Sequence, residues 1–383
     1  MELQKLVFAL KTTCSGGQLH DNSLLLPDLQ RCARHLVATG QAASAQEAVQ
    51  RIGEHVAQVA SPPSAPESLK LAAAHVGPLL PVVAQRVQGL LEAEKSLSEA
   101  MAGVSVPGWS VDRNDLWTLV MDQQVKSGPF VQSGHPFSYP ESGYVESLLR
   151  GMAQVLKDVQ RPIDVDGLKA LHRAALQHRP GTAGLAGEFR DGVAVDFAPA
   201  CGDWASEEHV QELKRAADYG GNNPFYSLED IEGRGTVVHA RALPCGAIES
   251  HVDEVLAQHH GAMSGCENAQ EKMARIAQTC HELALTHPFV DGNGRVIGGL
   301  LVNRLLLEAG LPPYRPLSVG LVDLPPADLA EHICNACGAA DAHPVPEHKT
   351  RVHFTEFLSD TKPQGAPSRD AAHAARFPTR SPG

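Results

Sequence analysis

Two helical patterns joined by a short polar turn constrain this chain more than any other feature it has. In AQEKMARIAQTCHELALT, residues 269–286, Met273, Ile276, Ala277, Cys280 and Leu283 fall on one helical face, so this helix lies on a core. In RVIGGLLVNRLLLEAG, residues 295–310, apolar residues run nearly all round, which predicts a helix at the buried centre of its domain, stopped by Gly310 and Pro312. Other helices must then wrap around the second one. The turn between them, HPFVDGNGR, places one His, one Asp, one Asn, one Arg and two loop glycines within nine positions.

A chain of 383 residues suggests about two or three domains, enough for such a core. Its formal charge of −12 repels a phosphate backbone, so no nucleic-acid partner is expected; only the extreme C-terminus is net basic. LVFAL near the start is too short for a signal-peptide apolar region, and no run reaches the length of a membrane span. No membrane contact is therefore expected, and the chain is read as cytoplasmic, or as a secreted effector without a cleaved signal peptide. Eight scattered cysteines, several inside helical apolar patterns, argue against a disulfide framework.

Along the chain, DNSLLLPDLQRCARHLVATG and SAQEAVQRIGEHVAQVA alternate apolar spacings of three and four, with Gly40 as a stop and Ser44 with Glu47 in capping-box form. Two helices are predicted there. After a Pro/Ser linker at 61–68, LKLAAAHVGPLLPVVAQRVQGLLEAEKSLSEAM reads as further helix interrupted around Pro78 and Pro81. Residues 104–144, rich in Gly, Pro and Ser, read as an irregular lead-in to the next domain. Helix resumes in YVESLLRGMAQVLKDV and in IDVDGLKALHRAALQH, the latter capped by Asp164 or Asp166. GEFRDGVAVDF and GTVVHARA have the alternation of two short strands, separated by an insertion at 198–234 rich in Gly, Asn and acidic residues. Beyond Asp360 the tail carries Lys362, Arg369, Arg376 and Arg380 against Asp370 and is expected to be disordered.

The polar turn has the makings of an anion site. Gly292, Asn293 and Gly294 stand just before a helix, where successive backbone N–H groups can face inward as a nest and the helix N-terminus adds positive potential. Asn293 can cap the helix or donate its amide to a phosphate oxygen, and Arg295 adds a forked cation. Asp291 would repel a phosphate unless a cation lay between them, and Mg²⁺ commonly takes one or two carboxylates plus phosphate oxygens. His287, where the preceding helix ends, is a base beside that site, which suggests hydroxyl activation for phosphoryl or nucleotidyl transfer. The bland alternative is a helix-capping turn in which Pro288 and Phe289 pack into the core and His287 fills space. The second HPF, His135 to Phe137, lacks the GNGR and is incidental.

HPFVDGNGR resembles the signature of the Fic (filamentation induced by cAMP) family, in the Fic/Doc superfamily, whose pattern is HPFx[D/E]GNGRxxR. LKALHRAAL resembles that family's earlier core helix, AGEFRDGVAV its segment leading into the flap, and NRLLLEAGLPP the end of its motif helix. The resemblance implies an all-α fold, a Fic-like helical core with a short β-hairpin flap, here with an extra N-terminal helical region. It divides the chain into residues 1–103, helical and of unknown role, a Fic-like domain at 104–358 and the basic tail at 359–383. It implies transfer of AMP, or another NMP, from ATP or another NTP to a Ser, Thr or Tyr hydroxyl of a target protein. Position by position, His287 is then the general base, Asp291 the Mg²⁺ ligand, and Gly292, Asn293 and Gly294 the phosphate cradle. Arg295 contacts the leaving group, Phe289 anchors the loop and Arg190 orients the flap.

The pattern's second arginine falls at Gly298. In the family it grips the terminal phosphate and pairs with an inhibitory glutamate in an [S/T]xxxE[G/N] helix. Arg304 cannot replace it, because six helical residues mean about 240° of rotation and about 9 Å of rise. SGYVES, residues 142–147, has Glu146 at the inhibitory spacing but lacks the last motif position, and reads as a plain helix start. Either the chain is not regulated that way or regulation sits in a partner protein. The lost arginine leaves AMP transfer with weak ATP binding, another donor such as UTP or CDP-choline, or a catalytically silent nucleotide- or peptide-binding module. Phosphorylation is disfavoured because the GNG cradle is intact. Cys334, Cys337, His343 and His348 offer zinc ligands at short spacings, and otherwise the two cysteines belong to a helix. His172 and His281 read as satisfied helical histidines.

Overall fold

The computed structural model describes residues 2–13, 25–104, 120, 143–157, 159–177, 181–197, 206–218, 223–231, 235–314 and 320–338. The chain divides into two units, Met1–Asp341 and Ala342–Gly383. The second lies outside the described residues, as do the expected basic tail, His343, His348 and nearly all of the irregular lead-in.

The apolar motif helix, α10, forms the centre of the main core. It is wound as a π-helix over Gly294–Leu301 and as an α-helix over Val302–Glu308. The wider opening is a departure from the regular helix expected there; Gly298 and Gly299 bring no Cβ to crowd it. Val296, Ile297, Leu300, Leu301, Val302, Leu305 and Leu306 are buried. Around it lie α5 (Tyr144–Leu156), α6 (Val165–Leu176) and α9 (Ala269–Thr286). Gly151 of α5 approaches so closely that a Cβ there would stand 2.5 Å from Leu300. The helix ends as expected at Gly310 (φ 73°), whose N–H donates to Leu307 while that of Leu311 donates to Leu306, a Schellman closure. Two polar residues on this buried helix, Asn303 and Arg304, are engaged in structure. Asn303 donates to Gly299 and accepts from the Tyr314 amide, and Arg304 donates to the carbonyls of Val155, Lys157 and Arg161. Arg304 thus closes the C-terminal end of α5 and contributes nothing to the position left by Gly298.

Toward the N-terminus, α1 (Glu2–Thr13), α2 (Leu26–Ala38) and α3 (Ala45–Ala60) pack on α4 (Glu67–Ala102). Ser44 caps α3 by accepting from the Glu47 amide at 3.2 Å, as its spacing predicts. The expected break at Pro78 and Pro81 does not occur, and α4 runs straight through both prolines. Each proline frees the carbonyl four residues earlier, on Ala74 and Gly77; those two residues and both prolines are exposed, so water replaces the missing donors. This helix serves two cores, with Val76, Val83 and Val87 in the N-terminal cluster and Leu90, Ala93 and Leu97 in the main one. A buried ion pair, Arg34 to Glu94 at 2.6 Å, joins α2 to it.

A three-stranded antiparallel sheet, order β1-β3-β2, lies over one end of the main core: β1 (Val195–Phe197), β2 (Tyr226–Ile231) and β3 (Gly235–Ala240). The two strands expected from sequence are β1 and β3, which pair with Phe197 opposite Val238. The segment read as a polar insertion holds two further elements, β2 and α7 (Glu207–Asp218). Neither gave a clear period, because only Tyr226 is buried on β2 and α7 turns few apolar residues, Leu213 and Ala217 among them, onto the sheet. The last elements are α8 (Cys245–Met263) and α11 (Pro326–Gly338). The fold is all-α with this one small sheet, and among the described residues no helix is long and apolar enough to cross a membrane.

Candidate active site

The loop from α9 to α10 begins at His287, which ends α9 in the left-handed conformation, φ 50° and ψ 60°. Among the described residues it is the one non-glycine with positive φ, a conformation a β-carbon disfavours and one that persists only where the surroundings enforce it. The enforcement comes largely from Arg190. Its buried guanidinium donates to the carbonyls of His287 (2.7 Å), Thr286 (3.1 Å), Val193 (2.7 Å) and Arg241. One side chain therefore binds the end of α9 to the start of β1 and the end of β3.

Phe289, the expected anchor, is fully buried between two rings. His172 of α6 stacks on it at 3.8 Å and 4°, and Phe189 tilts against it at 5.0 Å. His172 is satisfied on both nitrogens: Nδ1 accepts from the Gly187 amide at 2.8 Å, so Nε2 carries the proton and donates to the Asp291 carbonyl at 3.0 Å. Burial pushes its pKa down to about 4, keeping the ring neutral. The sequence reading of His172 as a satisfied core histidine holds, with the addition that it props the motif loop. His281, also buried and pushed down to about 4, faces His209 of α7 instead.

Asn293 departs from expectation. Its side chain accepts from the Phe289 amide at 3.0 Å and donates to the Phe289 carbonyl at 2.7 Å, closing the loop on itself. It makes no side-chain cap to the helix, and its oxygen and one of its two amide hydrogens are taken up by Phe289. Backbone amides offer further donors here. Gly292 sits at φ 79° and Asn293 at φ −56°, ψ −47°, the left-then-right alternation that turns successive N–H groups into a nest. Gly292 has a second constraint, since a Cβ there would lie 2.8 Å from Leu176. Gly294 has neither: its φ is ordinary and a Cβ would meet nothing within 4 Å.

Asp291 accepts the Gly292 amide at 2.7 Å. Arg295, in the first turn of α10, lies over the ring of Tyr144 at 4.9 Å, a cation–π contact not foreseen from sequence. His287 is half-buried, and its ring stacks on Phe197 of β1 at 4.3 Å and 19°. Burial first, then the Arg190 charge, hold its pKa down at about 4, with Asp291 acting in the opposite sense. The imidazole is thus neutral and able to accept a proton at neutral pH. Seven of the eight predicted site residues, His287, Phe289, Asp291, Gly292, Asn293, Gly294 and Arg295, share this loop and helix start, and Arg190 reaches it from outside.

Where the pattern's second arginine was expected, Gly298 faces Leu321, 3.6 Å from a Cβ built there, and its carbonyl takes the Tyr314 hydroxyl. Glu146 lies in the first turn of α5, within electrostatic reach of Arg86 and Arg150, and burial raises its pKa. Cys334 and Cys337 lie on α11, as the helical alternative has it. Cys337 donates to the Pro312 carbonyl and burial raises its pKa to about 12, which keeps it a thiol.

A helical core here clamps an imidazole and an amide nest on one loop, the parts that a phosphate group could use. The family model of the Fic/DOC family matches residues 162–306, from just before α6 into the motif helix. That family transfers nucleotide or other groups onto proteins. Among solved structures the chain is similar to a segment of Fic-1 from C. elegans, with 13% identity and a TM-score of 0.30, covering 88% of this chain and 95% of that one. A single-substitution variant of that Fic-1 gives 14% identity and a TM-score of 0.31, covering 86% and 88%. No curated protein matches the chain.

Proposed function

We propose that the chain is a Fic-type protein adenylyltransferase, moving AMP or another NMP from a nucleoside triphosphate to a Ser, Thr or Tyr hydroxyl of a target protein. One observation carries the reading: the neutral imidazole of His287 and the amide nest at Gly292 and Asn293 meet on a single clamped loop. In the proposed reaction the hydroxyl oxygen attacks the α-phosphorus in line, the bond from that phosphorus to the bridging oxygen breaks, and diphosphate leaves. The hydroxyl proton passes to the His287 ring. A pKa of about 4 makes this ring a weak base alone, but the negative charge of a bound donor favours its protonated form. The rest of the rate gain comes from positioning and from amides aimed at developing charge.

Asp291 is the residue that would hold Mg²⁺. Among the described residues no three His, Cys, Asp or Glu side chains come together, so one carboxylate would be joined by phosphate oxygens and water, the set Mg²⁺ commonly takes. The ion would neutralise charge on the leaving diphosphate.

Gly298 favours a second reading within the same chemistry. With an apolar Leu321 where the pattern has a cation, a donor that does not need its terminal phosphate gripped, such as CDP-choline, competes with ATP. Incubating the full chain and candidate targets with each donor, and weighing the intact proteins, separates these readings: the added mass names the group, and no added mass with any donor supports a silent binding module.

A further inference from the structure

Resting on that reading for its kinetic part, we infer that Phe197 is a positioning residue of His287, its flap-borne ring holding, together with the Ala284 backbone, the plane in which the imidazole presents its nitrogens. The backbone of His287 is already fixed, since its N–H donates to Leu283 and its carbonyl accepts from Arg190. The ring is tied as well, by a hydrogen bond to the Ala284 backbone. Phe197 restrains its plane further by lying nearly parallel against one face, centroids 4.3 Å apart. An imidazole that turns about its bond loses this contact, so the stacked orientation is selected, and a hydroxyl reaches the nitrogens only along the ring edge.

The wall is itself built to hold position. Phe197 ends β1 opposite Val238, and its neighbour Asp196 pairs with His239 across the strands at 2.8 Å. Arg190 grips Val193 just before the strand and Thr286 and His287 beyond it, so wall and base share one anchor. The charged groups that act on the imidazole are Arg190 and Asp291. Neither is touched by a change at position 197.

Phe197→Leu keeps an apolar side chain and removes the ring current, Phe197→Ala removes the wall, and Phe197→Tyr keeps it. In the full chain, the imidazole C–H resonances of His287, identified by their loss in His287→Ala, are expected to move downfield in Phe197→Leu and stay in place in Phe197→Tyr. With a donor that labels, Phe197→Ala is expected to lose kcat by on the order of ten- to a hundredfold with donor KM little changed, and Phe197→Tyr to restore it. Resonances that are the same in wild type and Phe197→Leu overturn the inference, as does wild-type kcat in Phe197→Ala. A shift that behaves as expected in a protein no donor labels upholds the contact and sinks the proposed function instead.

Discussion

Arg190 donates from Nε to the carbonyl of His287 at 2.7 Å, a bond between the sheet's anchor and the backbone of the proposed base. The same guanidinium serves three further carbonyls, and a lysine, with one nitrogen, cannot. Arg190→Lys keeps the charge and leaves buried carbonyls unpaired, so a loss of about 2–4 kcal/mol in denaturant unfolding is expected, together with loss of transfer. Unchanged stability would show that the clamp carries no weight.

Asn293 and Gly294 are adjacent and predict opposite outcomes. Asn293→Ala strips both partners from the buried Phe289 backbone and should cost about 1–3 kcal/mol for each bond. Gly294→Ala has room and ordinary φ, so it should melt as wild type while raising donor KM on the order of tenfold, because only a phosphate needs that surface bare. A melting temperature lowered in both, with KM unchanged in Gly294→Ala, would make the glycine structural.

How much of this was legible in the sequence depended on whether a residue's role is local. Ser44, Asp164 and Gly310 act on neighbours a few positions away, and their caps were readable; Asp164 was one of two candidates and takes the Gly167 amide. The motif loop was readable as a unit because its grouping is compact. The partners of that loop come from afar: His172 under Phe289, Phe197 on His287 and Tyr144 under Arg295 lie over a hundred positions away or nearly so, and no local pattern links them. The side chain of Asn293 was open for a related reason. Its amide suits a cap, a phosphate or a backbone clamp, and the fold of the loop back on Phe289 replaces the cap with a clamp. The prolines of α4 misled because a proline's cost depends on whether water can reach the freed carbonyl, which sequence does not state.

Those prolines give a prediction of their own. Pro78 and Pro81 stand in the interior of a continuous helix, where proline is about 3 kcal/mol less favourable than alanine. Partly offset by the unfolded chain's gain in freedom, Pro78→Ala or Pro81→Ala should stabilise the fold by about 1–2 kcal/mol, seen as a higher melting temperature. A lower one would mean the helix needs the prolines.

Stability should fall on acidification. His172, His259, His281 and His287 are each held down to about 4 from 6.5, mainly by burial. Between those values the unfolded chain binds protons the native one does not, so stability drops as pH falls from about 6.5 toward 4, and these four add no further loss below that. Melting temperatures followed from neutral pH down to about 4 check the sign; a level or rising series contradicts it.

The central claim is that His287 takes the hydroxyl proton while the loop beside it holds the donor's phosphates. The most direct measurement is Mg²⁺-dependent transfer of an α-phosphate label from nucleoside triphosphates to protein by the full chain, set against His287→Ala at equal folded concentration. The account predicts labelling by the wild type that falls by roughly 100- to 10,000-fold in the variant. Labelling that persists undiminished without the imidazole would contradict it.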